Sequence, residues 1–294
     1  MATFSVHFDG PITVEHRVTI RVLARTYEHM QRAIDRAYLI EKHGDVWKHA
    51  RLKADEYRET DFLAAYPREG GIILDAVRDG AGAVRDRAGA VLDRVAAAIR
   101  PVFESAIQEA VAQHASMDAQ LNQRRNYVNR MGENTQSYAA VVADPPANWA
   151  NAYSNRSVIK EIDQLVGQVT PRQLEGSSVA IALHGDHAHL PFEFTALTAR
   201  RFHMIASERE LGAPFIVTAR IRSLDRGNRY TKPSAKIANL DTNREVSLHL
   251  PNREDCDLLH PHHDGEPIRL FVCPIVEALG FDVNGGDLMF LAVA

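Results

Sequence analysis

Between Ala219 and Lys236 six cations, Arg220, Arg222, Arg226, Arg229, Lys232 and Lys236, accompany a single acid, Asp225. Guanidinium groups offer forked donors that match phosphate oxygens, and Tyr230 adds a ring on which a base can stack. The chemistry this segment implies is recognition of a nucleic acid or another polyanion, or of an acidic protein partner. The plainer alternative is a solvated basic loop matched by Glu254, Asp255, Asp257 and Asp264 further along the chain. A shortage of further aromatics weighs against a dedicated single-strand binder. Arg124, Tyr127 and Arg130, with Arg125 beside them, form a second basic patch that reads as a solvated helix face.

Histidines cluster twice. In HGDHAH, His184, His187 and His189 surround Asp186. His187 and His189 share one strand face, and His184 can approach across a turn. Three nitrogen donors suit zinc, although the spacing matches no common zinc motif and a polar hairpin tip explains it as well. His260, His262, His263 and Asp264 follow Cys256, but Pro261 and Gly265 mark an ordinary turn there.

Other chemistry finds little support. The strand leading to Gly80-Ala81-Gly82 begins like a dinucleotide loop, yet position 85, where a third glycine belongs, is Arg85. Phosphate-loop, zinc-protease and serine-elbow motifs are missing from the sequence. Glu56, Glu59 and Asp61 read as a charged connector. Cys273 lies in an apolar run and reads as buried and inert. No cofactor is expected.

Most of these residues sit in recognisable elements. Phe4, Val6 and Phe8 alternate with polar residues, as in a half-buried strand closed by Asp9-Gly10-Pro11. Val18 to Glu41 carries apolar residues at helical spacing. Asp61–Tyr66 and Gly71–Val77 flank Pro67-Arg68-Glu69-Gly70 as a hairpin. The heptads VRDGAGA, VRDRAGA and VLDRVAA then run from Val77 to Ala97. A seven-residue period returns to one helix face every two turns, so Val77, Val84 and Val91 form a stripe. Gly82 and Gly89 each cost about 1 kcal/mol against alanine inside a helix, which points to close approach by a neighbour. The repeat thus predicts tight helix packing, within the chain or between subunits, and a homo-oligomer through this helix is expected. Pro101 suggests a kink or restart, with a second helix to Arg130. Val141–Ala150 reads as a loop and Ser157–Val169 as a helix.

The C-terminal part is β-rich. Val179–Leu183 and Leu190–Phe194 flank the HGDHAH turn, and Thr195–Ser207 reads as helical. From Pro214 onward the order is β-β-β-α-β-β, which is that of an OB-fold, although an SH3-like barrel or a mixed sheet gives a similar string. The expected class is α+β: an N-terminal βαββ module with long amphipathic helices over residues 1–176, then a β-rich domain over 177–294 with an OB-like barrel from about 214.

With 294 residues, 45% hydrophobic and 24% charged, the chain can bury a sizeable core, and a net charge of −4 gives no global signature of a nucleic-acid binder. Two cysteines exclude a disulfide-built mini-protein. The N-terminus lacks a basic segment followed by an apolar run, and no stretch is apolar enough to span a bilayer, so a cytoplasmic protein is expected. The order FSVHFDG, RTYEHMQRAIDRAYLI, FLAAYPREGGIILDAV, followed by helices and a terminal barrel, resembles uncharacterised bacterial proteins of the same layout. That resemblance implies no activity; its setting would be mobile elements or antiviral defence. The functional expectation is a non-catalytic binding or adaptor protein. Its alternatives are a metal-dependent hydrolase or nuclease using the histidine turns, and a structural homo-oligomer.

Overall fold

A computed structural model describes the chain apart from residues 1, 16, 45, 47–49, 65–71, 78–84, 109–114, 145–146, 264 and 279. In chain order its elements are strand β1 (Thr3–Asp9), helices α1 (Ile20–His43) and α2 (Tyr57–Thr60), and strands β2 (Leu63–Ala64) and β3 (Ile72–Val77). Helices α3 (Arg85–Ile107), α4 (Met117–Met131), α5 (Tyr138–Ala143) and α6 (Ala147–Val166) follow. Strands β4 (Ser178–His184) and β5 (Phe192–Thr195) lead to helix α7 (Ala196–Ala206). Strands β6 (Arg209–Leu211), β7 (Phe215–Asp225), β8 (Ser234–Asn239) and β9 (Arg244–His249), helix α8 (Arg253–Leu259), and strands β10 (Ile268–Glu277) and β11 (Leu288–Val293) complete the chain. The class is α+β. Two compact units form, Met1–Ala112 with Ser154–Glu208, and Gln113–Tyr153 with Arg209–Ala294.

The first unit is built on an antiparallel sheet of order β2-β3-β1-β4-β5. Strand alternation puts Phe4, Val6 and Phe8 on one face. The register sets them opposite Leu183, Ile181 and Val179, and β5 adds Phe194 and Phe192 to the same row. All eight side chains are buried. Helix α1 begins at Thr19, whose hydroxyl accepts from Val22 N, and contributes Met30, Ile34, Ala37 and Tyr38 to the core. Helix α3 adds Val91, Leu92, Val95 and Ile99, while Val158, Ile162 and Leu165 come from α6 and Phe202 from α7. Phe103 meets Phe192 and Phe194 edge-on at 5.3 and 4.9 Å.

Several sequence expectations change here. The boundary near 176 falls inside the first unit, because β4 pairs along its whole length with β1. Val77 belongs to β3, opposite Thr3 and Leu63, so the repeat does not begin as helix. The middle of the repeat and the Pro67–Gly70 turn lie outside the described residues. Helix α3 continues through Pro101 to Ile107. Proline there forfeits one backbone donor, but Pro101 faces solvent while Val102, Phe103 and Ala106 keep the helix packed on the core. The stretch expected as a loop, Val141–Ala150, holds the end of α5 and the start of α6, with Pro145 and Pro146 outside the described residues. Of the stripe, Val91 lies on α3 and is buried in the core of its own unit, where α3 packs on α1, α7 and β4; Val84 lies outside the described residues.

In the second unit β7, β8, β9, β11 and β10 close into a five-stranded barrel. Neighbours are antiparallel except β9 and β11, which run parallel. Strand β6 extends β10 at its far end. Val217, Ala219, Ile221, Ile237, Leu248, Leu270, Val272 and Phe290 fill the interior with Cys256 and Leu259 from α8. Strand β10 is apolar on both faces because α4 covers its outer side, where Leu121 and Val128 pack with Phe271, Cys273 and Ile275.

Truncating Phe194 removes a ring that packs against Phe103 and Phe202. Phe194→Ala is expected to lower the unfolding free energy of the first unit by about 3–5 kcal/mol, read from chemical denaturation of the whole chain.

Candidate functional site

The basic segment expected from the sequence occupies β7, the loop after it, and β8. Arg220 stands opposite Ala238, and Lys236 opposite Ser223. Alternation sends Ala219, Ile221, Ala235 and Ile237 inward, so Arg220 and Lys236 point outward on adjacent strands. The register shifts between Ile221 and Ser223, leaving Arg222 as the extra residue of a bulge. A bulge re-aims side chains, and here Arg222 and Ser223 are both exposed. Lys236 Nζ donates to Ser247 Oγ on β9 at 2.8 Å.

Turn chemistry holds the loop itself. Asp225 Oδ1 accepts from Gly227 N at 2.8 Å, and Asn228 Oδ1 accepts from Tyr230 N and Thr231 N at 2.8 and 3.2 Å. Gly227 has φ +64°, and a Cβ there would lie 2.3 Å from Thr231 O, so only glycine fits. Tyr230 at the tip is 77% exposed. The Arg229 guanidinium lies 4.4 Å from its ring centroid, a cation–π contact on that ring.

Charge matching is partial. Arg226 forms an ion pair with Asp257 of α8. Asp255, expected among the loop's counter-charges, instead accepts both bonds from Arg125 at 2.9 and 3.0 Å. Asp264 lies outside the described residues. Among the described residues no ion pair is made by Arg220, Arg222 or Lys232. Arg269 on β10 was not singled out in the sequence. It stands opposite Thr218, outward, on the strand flanking β7. Its signal was the one cation in a strand that is apolar from Leu270 to Val276.

In the other basic patch Tyr127 and Arg130 are exposed, as expected of a solvated face, whereas Arg124 and Arg125 are anchors. Arg124 donates to Leu211 O at 2.9 Å, and Arg125 donates to Leu291 O at 3.1 Å, fastening α4 to the barrel strands. Cys256 and Cys273 are both buried free thiols. Burial pushes Cys273 up to about 12 and also raises Cys256, so neither is a thiolate near neutral pH.

HGDHAH forms the β4–β5 turn and is tied to α3 by one carboxylate. Asp93 accepts from His187 Nδ1 at 2.6 Å, His189 Nε2 at 2.8 Å, and the backbone N–H of Asp186 and His187 at 3.2 and 3.1 Å. Arg100 donates to His189 Nδ1 at 3.2 Å, which with Asp93 on the other nitrogen orients the ring. Glycine makes the approach possible. A Cβ on Gly185 would lie 2.2 Å from Asp93 Oδ1, and one on Gly89 would lie 1.8 Å from Asp186 Oδ1. The repeat's Gly89 therefore admits this turn of its own chain in place of the neighbouring helix expected; Gly82 lies outside the described residues.

His184, at the end of β4, bridges Ala188 through its backbone. Asp93 thus gathers two of the three candidate ligands as hydrogen-bond donors. Among the described residues no group of three or more His, Cys, Asp or Glu is placed to hold a metal ion. Two of the three connector carboxylates, Glu56 and Glu59, are also occupied. Buried Glu56 accepts from Lys42 Nζ at 2.7 Å and Lys53 N at 2.6 Å, and Tyr38 donates to Glu59 at 2.6 Å. The Lys42 hydrogen bond, with that from Lys53, holds Glu56 below the usual carboxylate range.

Among the described residues no helix is long and apolar enough to cross a membrane. No family model, curated protein or solved structure matches the chain.

The Asp93 anchor has a defined pH response. The Asp93 hydrogen bond raises His187 above its ordinary 6.5. Burial pushes Asp93 up, but bonds from His187 and His189 outweigh it and hold the carboxyl below its ordinary 3.8. The His187 contribution is full below 6.5 and is lost as pH rises through the raised value. The Asp93 contribution is full above 3.8 and is lost as pH falls through the lowered value. An NMR titration is expected to place the His187 midpoint above 6.5, and Asp93→Asn to move it down.

Proposed function

We propose that the second unit is a non-catalytic binding module for nucleic acid or a similar polyanion, with an OB-like barrel as its scaffold. Two features support the OB-like reading. Strands one, two, three, five and four succeed one another round the barrel, with three and five parallel. The helix α8 falls between strands three and four. In OB-folds the face of strands two and three and the loop between strands one and two grip oligonucleotides. That loop is the one bearing Arg229, Tyr230 and Lys232.

One observation carries the proposal. Arg220, Arg222, Lys232 and Arg269 are exposed cations without an ion pair among the described residues, on strands and a loop that adjoin. Phosphate oxygens are the natural partners of such a surface, because each phosphate neutralised releases a condensed counterion. Arg229 and Tyr230 at the loop tip supply a cation beside a stacking ring. Arg226 contributes less, since Asp257 already neutralises it. Self-association through α3 forms no part of this reading, since Val91, the described member of its stripe, is buried within the first unit.

Fluorescence anisotropy of labelled oligodeoxythymidine, duplex DNA and RNA, each titrated over a salt series, tests this. Affinity is expected to fall steeply with salt. On the single strand, Arg222→Ala with Lys232→Ala is expected to reduce the slope of log K against log salt by about 1.4, at about 0.7 for each phosphate no longer neutralised. Asp257→Asn, which releases Arg226, is expected to strengthen binding. An absence of binding at low salt would overturn the nucleic-acid reading and leave an acidic protein as the ligand to seek.

A further inference from the structure

The first unit holds a cleft of about 580 Å³ that the barrel reading does not use. Helix α1 lines one side of it with Arg21 and Arg25, one turn apart. Helix α7 lines another with Arg200 and His203, and the end of α6 supplies Asp163. Pockets of roughly 300–1,000 Å³ are the size that takes small organic ligands.

Charge in the cleft is unbalanced. Three guanidinium groups face one carboxylate among its described lining residues, and that carboxylate is engaged. Asp163 is buried and meets His203 Nδ1 at 2.9 and 3.1 Å. Arg200 donates one N–H to Thr170 O at 2.9 Å, which orients its guanidinium. Among the described residues Arg21 and Arg25 make no ion pair. They sit in the first two turns of a 24-residue helix, where the N-terminal dipole also favours an anion.

The walls carry more than charge. Gln168 is more than nine-tenths buried. Its amide nitrogen donates to Thr26 Oγ1 and Leu165 O at 3.2 and 3.1 Å, and its Oε1 has no donor. Val22 and Met204 add apolar surface.

We propose that this cleft binds a small phosphate ester, with its phosphate between Arg25 and Arg200 and its organic body against Val22 and Met204. Guanidinium groups lining one cleft can give a phosphate dianion several forked hydrogen bonds at once. The site is independent of the barrel surface, so either reading can fail alone.

Isothermal titration calorimetry of the full chain at low ionic strength tests the proposal, with inorganic phosphate, AMP and glucose 6-phosphate as probes. At least one ester is expected to bind more tightly than phosphate. Arg25→Gln with Arg200→Gln is expected to weaken that ester about tenfold or more, while Arg222→Ala with Lys232→Ala leaves it unchanged. Thermal melts check that each variant folds, and Arg21→Gln, on the exposed start of α1, serves as a second probe if the double variant does not. Failure of both esters to bind better than phosphate overturns the proposal. So does an affinity untouched by the substitutions at Arg21, Arg25 and Arg200.

Discussion

Backbone hydrogen bonding along strands that have no neighbour nearby in sequence is the constraint on which both units rest. A strand buried on its edges must find partners for every N–H and C=O. Strand β1 finds them in β3 on one side and β4 on the other. Strand β11 finds them in β10 and, in parallel, in β9. The first solution joins the two ends of the first unit into one sheet. The second closes the barrel. Side-chain placement follows from these pairings, because a register offset of one residue would turn every buried phenylalanine of β1 toward the opposite face.

The surface of the barrel shows how local and long-range effects combine. Alternation alone sends Arg220 and Lys236 outward, and Asp225, Gly227 and Asn228 build the turn that carries Arg229 and Tyr230. Tertiary structure then sorts the cations. Asp257 takes Arg226, whereas Asp255, two residues earlier, faces Arg125 of α4. Successive residues on a helix diverge by about 100°, so neighbouring acids in sequence serve different arginines. What survives is a patch of cations with no ion pair among the described residues, extended by Arg269 from a strand that is otherwise mostly apolar.

In the first unit the same logic assigns polar residues to anchoring. A carboxylate on α3 collects two imidazoles and two backbone amides from a turn 94 residues away, and this binds the histidines that resembled a metal set. Glu56, in a segment that reads as a charged connector, is buried against Lys42. The cleft lined by Arg21, Arg25 and Arg200 is the contrasting case, since its positive charge exceeds the carboxylate nearby.

Periodicity made much of the architecture legible from the residues alone. The alternation of Phe4, Val6 and Phe8, the helical spacing of α1 and α7, the β4–β5 turn and the string of strands around α8 are local patterns, set by side-chain repeats of 2 and 3.6. The basic segment at 220–236 was legible in the same way, as composition. The fate of Val77, the continuation of α3 past Pro101, the membership of β4 in the first sheet and the pairing of Arg226 were decided by tertiary structure. So were the Asp93 anchor and the cleft. Each depends on which distant groups satisfy one another's hydrogen bonds, charge and apolar surface, and single-chain periodicity carries no record of those partners.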